Sequence, residues 1–271
     1  MARANLAKSP ITVVVHGCFT NPREGLEQAA GLQAKYGAEC VPFLWPANGR
    51  ATPWDYRSDK ADAEISAPAF GRFLAKAALY HTKHSLVFRG RRQECRVPAV
   101  TLVAHSMGCY LLKLAVLSEN TAWGPRGLRR DEAPVFDNIA IVGADVNSWD
   151  HLMWVDDLAP SGSVFITSNP KDKALLASDV FPGEKQLARL GQTVEDAEPK
   201  KKARVYVEFD IVEPENPREH GYHTVNTSGG PIERFFSAVM RGERFSPARF
   251  GAELDIDTGC YVISSRAIGT E

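Results

Sequence analysis

Apolar residues recur along the chain in six short runs, most of them unbroken rather than alternating with polar residues. The runs are rich in β-branched residues, and such runs are typical of strands that are covered on both faces of a sheet. They predict strands over residues 11–15, 40–44, 99–103, 139–142, 164–167 and 205–212.

Between these runs, apolar residues recur at the spacing of an amphipathic helix. The pattern predicts helices over residues 24–36, 61–79, 107–117 and 232–240. Strands that alternate with helices form a mainly parallel sheet with right-handed crossovers. The sequence therefore predicts an α/β fold, with a mainly parallel open sheet and helices on both faces.

Two long connections, residues 46–60 and 149–162, follow predicted strands. Loops at the carboxyl ends of strands form the ligand crevice of an open α/β sheet. The connections are therefore either walls of a pocket or ordinary surface loops with a few packed aromatic side chains. The 271 residues fit a single domain. Residues 245–271 form a C-terminal extension, in which residues 260–263 either add a short strand or pack as a tail.

The most informative motif is Ala104-His105-Ser106-Met107-Gly108, which joins an apolar run directly to a helical one. A strand, a sharp turn and a helix in this order are the layout of a nucleophile elbow, with alanine at the first small position. The turn exposes the serine hydroxyl above the sheet, and the positive end of the helix dipole lies beside it. Ser106 is therefore the predicted nucleophile.

A serine hydroxyl is a weak nucleophile at neutral pH, so it needs a base, and the base needs an acid that orients it. In elbow folds the acid and then a histidine follow the serine along the chain. Asp172 lies just beyond a predicted strand and is the favoured acid. Asp145, which ends the strand after the elbow helix, is the rival. Either carboxylate could instead cap a helix or bond a loop.

Two histidines, His220 and His223, follow the last long strand and precede the last predicted helix. This is the place expected for the base. His223 is the favoured base, and His220 is the alternative. A late histidine is more often a surface residue, but its place in the order serine, aspartate, histidine favours the catalytic interpretation.

The oxyanion of an acyl-transfer reaction needs backbone N–H donors that already point at it. One predicted donor is Met107, the residue after the nucleophile, and the second is Cys18, in the loop after the first strand, with Phe19 as the alternative. Four aromatic residues are candidates to line an acyl pocket, although each could simply belong to the core: Phe19, Trp45, Trp54 and Trp154.

The charges nearly balance, with 32 Lys and Arg against 33 Asp and Glu. This balance argues against nucleic acid or an anionic membrane as the main partner. No apolar run approaches the ~18 residues of a membrane span, and no signal peptide is recognised. The five cysteines are scattered and form no C-x-x-C pair, which favours a cytoplasmic setting and suggests neither a disulfide framework nor a zinc site.

Together these motifs resemble the α/β-hydrolase superfamily. Further segments are similar to a bacterial branch of esterase/lipase-like hydrolases of unknown role, and they lie at residues 43–49, 56–61, 143–145, 169–175 and 221–223. The resemblance covers roughly residues 11–240. It implies a compact α/β-hydrolase fold and a triad of Ser106, Asp172 and His223, with no metal or organic cofactor.

The sequence thus predicts a serine hydrolase that cleaves a small-molecule carboxylic ester through an acyl-enzyme on Ser106. Two alternatives remain open. An acyltransferase or a thioesterase would use the same triad with a different acceptor or substrate. A hydrolase-like module without catalysis would bind a ligand or a partner, but the three triad residue types in order argue against it.

Overall fold

The protein is described here by a computed structural model that covers residues 9–90, 98–118, 136–158, 162–178, 187–195, 197, 204–210, 220–224 and 230–264, with the backbone alone for residues 78–90 and 177. Within these residues the strands are β1 (Ile11–Val15), β2 (Glu39–Phe43), β3 (Val100–His105), β4 (Asn138–Val142), β5 (Ser163–Ser168), β6 (Arg204–Asp210), β7 (Glu253–Leu254) and β8 (Tyr261–Ser264). The helices are α1 (Pro22–Tyr36), α2 (Pro53–Gly90), α3 (Met107–Leu117), α4 (Leu152–Val155), α5 (Lys173–Ser178), α6 (Pro231–Met240) and α7 (Pro247–Phe250).

The strands form one sheet in the order β2-β1-β3-β4-β5-β6-β8-β7. Neighbouring strands pair in parallel, and the exception is the antiparallel pair of β7 and β8 at one edge. The mainly parallel sheet predicted from the alternating pattern is therefore confirmed. Strand β1 and helix α3 begin and end at the predicted residues.

The helices cover both faces of the sheet, as the unbroken apolar strands require. One apolar cluster joins a face of the sheet to α2 and α3, through residues such as Phe70 and Leu111. A second cluster joins the opposite face to α1 and α6, through Leu32, Phe235 and Phe236. Among the described helices, none is both long enough and apolar enough to cross a membrane.

Helix α2 begins at Pro53, inside the connection that the sequence analysis assigned to a loop. The Asp55 N–H donates to the Thr52 side chain, and the Thr52 hydroxyl donates back to the Asp55 carboxylate. This reciprocal cap, with proline at the first helical position, starts the helix eight residues before its predicted start at residue 61. The loop prediction was wrong for residues 53–60, because the glycine and prolines of residues 46–60 indicate a loop, whereas the Thr52–Asp55 cap starts a helix there.

The C-terminal segment adds to the sheet. Strand β8 pairs in parallel with β6 from Val207 to Asp210, and β7 closes the edge. Of the two alternatives for this segment, the added strand is the one found, and residues 265–271 lie outside the described residues. The Phe245 and Phe250 rings also stack on each other, at 5.7 Å between centroids, beneath this edge.

Candidate active site

Ser106 occupies the turn between β3 and α3 with a backbone that few residues adopt. Its φ is 56° and its ψ is −126°, and a positive φ in a residue other than glycine is strained. The Ser106 N–H donates to the Val142 carbonyl at 2.9 Å, and its own carbonyl accepts the Cys109 N–H at 2.9 Å. These bonds hold the serine at the N-terminus of α3, in the conformation expected of a nucleophile elbow.

The elbow depends on a close approach between α3 and β1. A Cβ on Gly108 would lie 2.6 Å from the His16 carbonyl oxygen and 2.8 Å from that of Val15. Ala104, at the other small position, is fully buried. The packing of the helix on the strand therefore requires a small residue at Gly108, and the small Ala104 fits its buried position.

The loop after β1 lies directly on the serine. A Cβ on Gly17 would lie 2.8 Å from the Ser106 Cβ and 3.2 Å from its Oγ. The next residue, Cys18, is half-buried and packs against the apolar cluster that includes Met107. Burial, together with the charges of Asp145 and Asp59, raises the pKa of the Cys18 thiol well above its ordinary value. Since the thiolate is the nucleophilic form of cysteine, this raised pKa argues against Cys18 as a second nucleophile.

His16 and Trp45 fix the shape of this loop. The Trp45 Nε1–H donates to the His16 carbonyl at 2.9 Å, and the Trp45 backbone N–H donates to His16 Nε2 at 3.2 Å. Because Nε2 accepts, the imidazole proton is on Nδ1, which donates to the Gly17 carbonyl at 2.9 Å. Burial lowers the pKa of His16 and keeps the ring neutral. The histidine of the His-Gly motif is thus structural.

Asp172 combines the two roles that the sequence left open. Its Oδ1 accepts the N–H groups of Ala174 and Leu175, at 3.0 and 3.1 Å, and so caps α5. Its Oδ2 accepts the Nδ1–H of His220 at 2.6 Å. The carboxylate is fully buried, and a charge-assisted bond in such a place is strong and directional.

His220 lies at the carboxyl end of β4, and Ser106 is bonded to the same end of that strand. A Cβ on Gly143, which has a φ of +50°, would lie 3.3 Å from the His220 ring, and the preceding residue, Val142, accepts the Ser106 N–H. The Nε2–H of His105 donates to the His220 carbonyl at 3.0 Å. Since His220 Nδ1 donates to Asp172, its Nε2 carries the lone pair, and this tautomer suits a general base.

His223 has a different environment. It is buried, its ring packs 4.5 Å from that of His105, and its carbonyl accepts the Tyr36 hydroxyl at 2.7 Å. No partner for its Nδ1 is found within the described residues. Burial, followed by the charges of His220 and Lys35, lowers the pKa of His223 to about 3.

The Asp172 hydrogen bond therefore goes to His220, the alternative in the sequence analysis, and not to the favoured His223. The two histidines flank a turn in which the Thr224 N–H donates to the Gly221 carbonyl at 2.9 Å. The structure joins His220 to the acid and packs His223 against Phe236 on α6, with ring centroids 6.1 Å apart. Sequence order alone does not separate two histidines on one turn.

The side chain of Asp145, the rival acid, bonds partners other than the candidate histidines. Its carboxylate accepts the Tyr56 hydroxyl at 2.8 Å and the Ser178 hydroxyl at 3.1 Å, and Arg189 Nε lies 3.4 Å away. Its N–H faces the Ser106 carbonyl at 3.3 Å. The described contacts of the Asp145 side chain include no histidine, so this residue supports the elbow rather than a base.

The candidate oxyanion donors lie on the two segments that meet at the serine, the first turn of α3 and the loop after β1. The Met107 N–H belongs to the first turn of α3, where amide groups have no partner within the helix. The Phe19 N–H donates to Asp59 Oδ2 at 2.7 Å. The Phe19 N–H is therefore not available to bind an oxyanion, and the Cys18 N–H is the remaining candidate donor from the loop after β1.

The four aromatic pocket candidates have different surroundings. Trp45 and Trp154 are 1% and 0% exposed and belong to the same apolar cluster. Trp54 is 76% exposed at the start of α2. Phe19 is half-buried, and its ring centroid lies 6.3 Å from that of Tyr56. Of the four, Phe19 lies in the loop after β1, and Trp45 contacts that loop through His16 from a fully buried position.

Several polar side chains around the site were not predicted from the sequence. The Tyr222 hydroxyl accepts the Gly143 N–H at 2.9 Å and lies 2.6 Å from the Thr167 hydroxyl. It thereby supports the segment against which His220 packs. A tyrosine next to the candidate histidines was a signal that could have indicated this role.

Within the described residues, no group of three or more His, Cys, Asp or Glu side chains is arranged to hold a metal ion. The four cysteines in this part of the chain, Cys18, Cys40, Cys109 and Cys260, are free thiols. Cys95 lies outside the described residues.

A mainly parallel sheet with helices on both faces and a strained serine between β3 and α3 is the architecture of the α/β hydrolases. The chain belongs to the family described as alpha/beta hydrolase of unknown function (DUF900), whose model matches residues 3–222. The match includes Ser106, Asp172 and His220. A search of curated proteins found no match to this chain.

Proposed function

We propose that this α/β hydrolase cleaves a carboxylic ester through an acyl-enzyme on Ser106, with His220 as the base and Asp172 as the acid that orients it. The observation that carries the proposal is the 2.6 Å bond from His220 Nδ1 to the buried Asp172 carboxylate, at the end of the sheet where the strained serine lies. This pairing places the lone pair of the imidazole on Nε2, as a base for serine requires.

In the acylation step, the Ser106 Oγ attacks the carbonyl carbon of the ester, and His220 Nε2 takes the hydroxyl proton. The negative charge on the substrate oxygen is stabilised by the N–H groups of Met107 and Cys18. When the tetrahedral intermediate collapses, the bond to the alcohol breaks and the alcohol leaves with the proton from His220. Asp172 stabilises the imidazolium that exists between these transfers.

In the deacylation step, His220 takes a proton from water, and the resulting hydroxide attacks the acyl carbon. The same two N–H groups stabilise the second oxyanion, and Ser106 regains its proton as the acid leaves. Every proton is transferred by the side chains named here, so the reaction requires no external acid or base beyond water.

The test is labelling with a fluorophosphonate probe, combined with turnover of a p-nitrophenyl ester. We expect the wild type to be labelled and Ser106→Ala not to be labelled. The matched pair His220→Gln and His223→Gln tests the base. His220→Gln should lower turnover about a thousandfold or more, and His223→Gln should retain most of it.

Three results would contradict the proposal. Labelling of Ser106→Ala equal to that of the wild type would show that Ser106 is not the nucleophile. A larger loss of turnover in His223→Gln than in His220→Gln would identify His223 as the base. Absence of both labelling and turnover in the folded wild type would favour the binding module. A series of esters and thioesters, with and without an alcohol acceptor, then separates a hydrolase from a thioesterase or an acyltransferase.

A further inference from the structure

Asp59 on α2 is a buried carboxylate that joins the two loops following β1 and β2. Its Oδ2 accepts the Phe19 N–H at 2.7 Å. Its Oδ1 accepts the Asn48 backbone N–H at 2.8 Å and the Asn48 Nδ2–H at 2.7 Å. The side chain is fully buried, and the donors that it faces in the described structure are amide groups, without an ion pair. Burial of a charge is costly unless donors of this kind compensate it.

The residue that Asp59 holds has a strained backbone. Phe19 has a φ of 57°, and besides Ser106 it is the one residue other than glycine with a positive φ in the described part of the chain. Such a conformation persists only where the surroundings impose it. A bond to an ionised carboxylate is about twice as strong as a bond between neutral groups, so Asp59 is suited to impose it.

The same contact fixes the peptide group between Cys18 and Phe19. Its N–H donates to Asp59, and its carbonyl accepts the Thr20 hydroxyl at 3.2 Å. With both edges of this peptide group held, rotation about the Cα–C bond of Cys18, its ψ angle, is restricted. The Cys18 N–H belongs to the preceding peptide group, whose Gly17 carbonyl accepts the His16 Nδ1–H at 2.9 Å. The direction of this N–H relative to Ser106 follows from both dihedral angles of Cys18 between the two held peptide groups, and the loop lies on Ser106 through Gly17.

We propose that Asp59 is a positioning residue of the oxyanion hole. It keeps the Phe19 N–H away from the substrate and holds the Cys18 N–H in the direction of the developing oxyanion. The inference rests on the proposed function, because it assigns a role to Asp59 in that same reaction. A purely structural role, in which Asp59 only joins α2 to two loops, is the alternative that the experiment has to separate.

The test uses Asp59→Asn, with Asp55→Asn as the matched control. Asparagine offers one acceptor oxygen where Asp59 uses two, so the Phe19 or the Asn48 contact must be lost. Asp55 lies one turn earlier on α2, is almost as buried, and bonds Thr52 and Arg50 rather than the loop after β1. Melting temperature, kcat and KM for a p-nitrophenyl ester are measured for both variants.

A third readout is the affinity for an aryl trifluoromethyl ketone. Ser106 Oγ adds to its carbonyl carbon, the serine proton passes to His220, and the ketone oxygen becomes an oxyanion in the hole. For Asp59→Asn we expect kcat and the affinity for this ketone to fall together by roughly 10- to 100-fold, with KM within about threefold of the wild type. Asp55→Asn should leave kcat and the ketone affinity near wild-type values.

The inference is overturned if Asp59→Asn retains wild-type kcat, if its kcat falls while the affinity for the ketone does not, or if Asp55→Asn loses as much. Should Asp59→Asn fail to fold, Asp59→Glu, which keeps the charge but displaces both oxygens, takes its place in the same comparison. Ser106→Ala is measured in the same series. If that variant retains turnover, the proposed function has failed, whereas an inactive Ser106→Ala beside a fully active Asp59→Asn rejects the role of Asp59 alone.

Discussion

One carboxylate, Asp172, both starts a helix and orients the candidate base, and a single substitution separates the two roles. In Asp172→Asn the remaining oxygen still caps α5, because asparagine and aspartate are similar N-caps. The amide nitrogen then faces His220 Nδ1, which forces the imidazole into the tautomer with a proton on Nε2. We expect turnover of a p-nitrophenyl ester to fall by about four powers of ten, with little change in melting temperature.

The opposite pattern is expected at Asp145. This carboxylate and Arg189 are 2% and 4% exposed in their side chains, and loss of one charge from a buried pair costs about 3 kcal/mol or more. Asp145→Asn should therefore lower the free energy of unfolding, measured by urea denaturation, and should retain most of the turnover per folded molecule. If Asp145→Asn lost more turnover than Asp172→Asn, the orienting acid would be Asp145.

At the level of single residues, the sequence predicted the strained turn at Ser106 and the strand-end carboxylate Asp172 better than the histidine that bonds this carboxylate, and the catalytic roles of all three stay predictions. The elbow motif has fixed spacing, so Ser106 follows from the pattern itself. Asp172 was favoured by its place after a strand. His220 and His223 satisfy the same order and lie three residues apart, and the choice between them depends on a turn and on packing against Phe236, which no spacing rule contains.

Among the elements, the contact between α3 and β1 determines whether the elbow forms. In Gly108→Ala the added Cβ would lie 2.8 Å from the Val15 carbonyl oxygen of β1 and 2.6 Å from that of His16, the next residue, so the helix must move away from the sheet. Overpacking of this kind costs about 1–3 kcal/mol. We expect a lower melting temperature and a large loss of kcat, because the Met107 N–H moves with the helix.

Gly31→Ala is the matched control for this prediction. Gly31 lies within α1, and a Cβ there would meet no atom within 4 Å. Alanine in a helix interior is more favourable than glycine by about 0.5–1 kcal/mol, so this variant should be slightly more stable and fully active. Equal stability and activity of Gly108→Ala and Gly31→Ala would contradict the close approach.

The predicted strands and helices show which features of the fold the apolar pattern specifies and which it does not. Apolar runs predicted the described bounds of β1 to β6 within two residues, with residues 211–212 of the predicted sixth strand outside the described residues. The signal is strong because the inner strands are buried on both faces, whereas the edge strand β2 is partly exposed. The start of α2 and the pairing of β8 with β6 depended instead on a side-chain cap and on a neighbouring strand. The reciprocal cap of Thr52 and Asp55 was readable in the sequence, whereas the pairing of β8 required the fold.

For the molecule as a whole, buried neutral histidines link folding to pH. Burial lowers the pKa of His16, His105 and His223 below the ordinary value of 6.5, and for His223 to about 3. At a pH between these two values the unfolded chain binds more protons than the folded chain. The contribution of these histidines to the free energy of unfolding therefore rises with pH up to about 6.5, levels off above it, and is lost as the pH falls toward the folded pKa values.

The contribution of His223 is isolated by comparing the wild type with His223→Gln, since titrating carboxylates affect both proteins alike. The difference in free energy of unfolding, wild type minus variant, should increase between pH 4 and 6.5 with a slope approaching about 1.4 kcal/mol per pH unit. It should be constant from pH 7 to 8.5. Urea denaturation at each pH measures it, and a difference independent of pH, or one that decreases toward pH 6.5, would show that His223 is not held neutral in the folded protein.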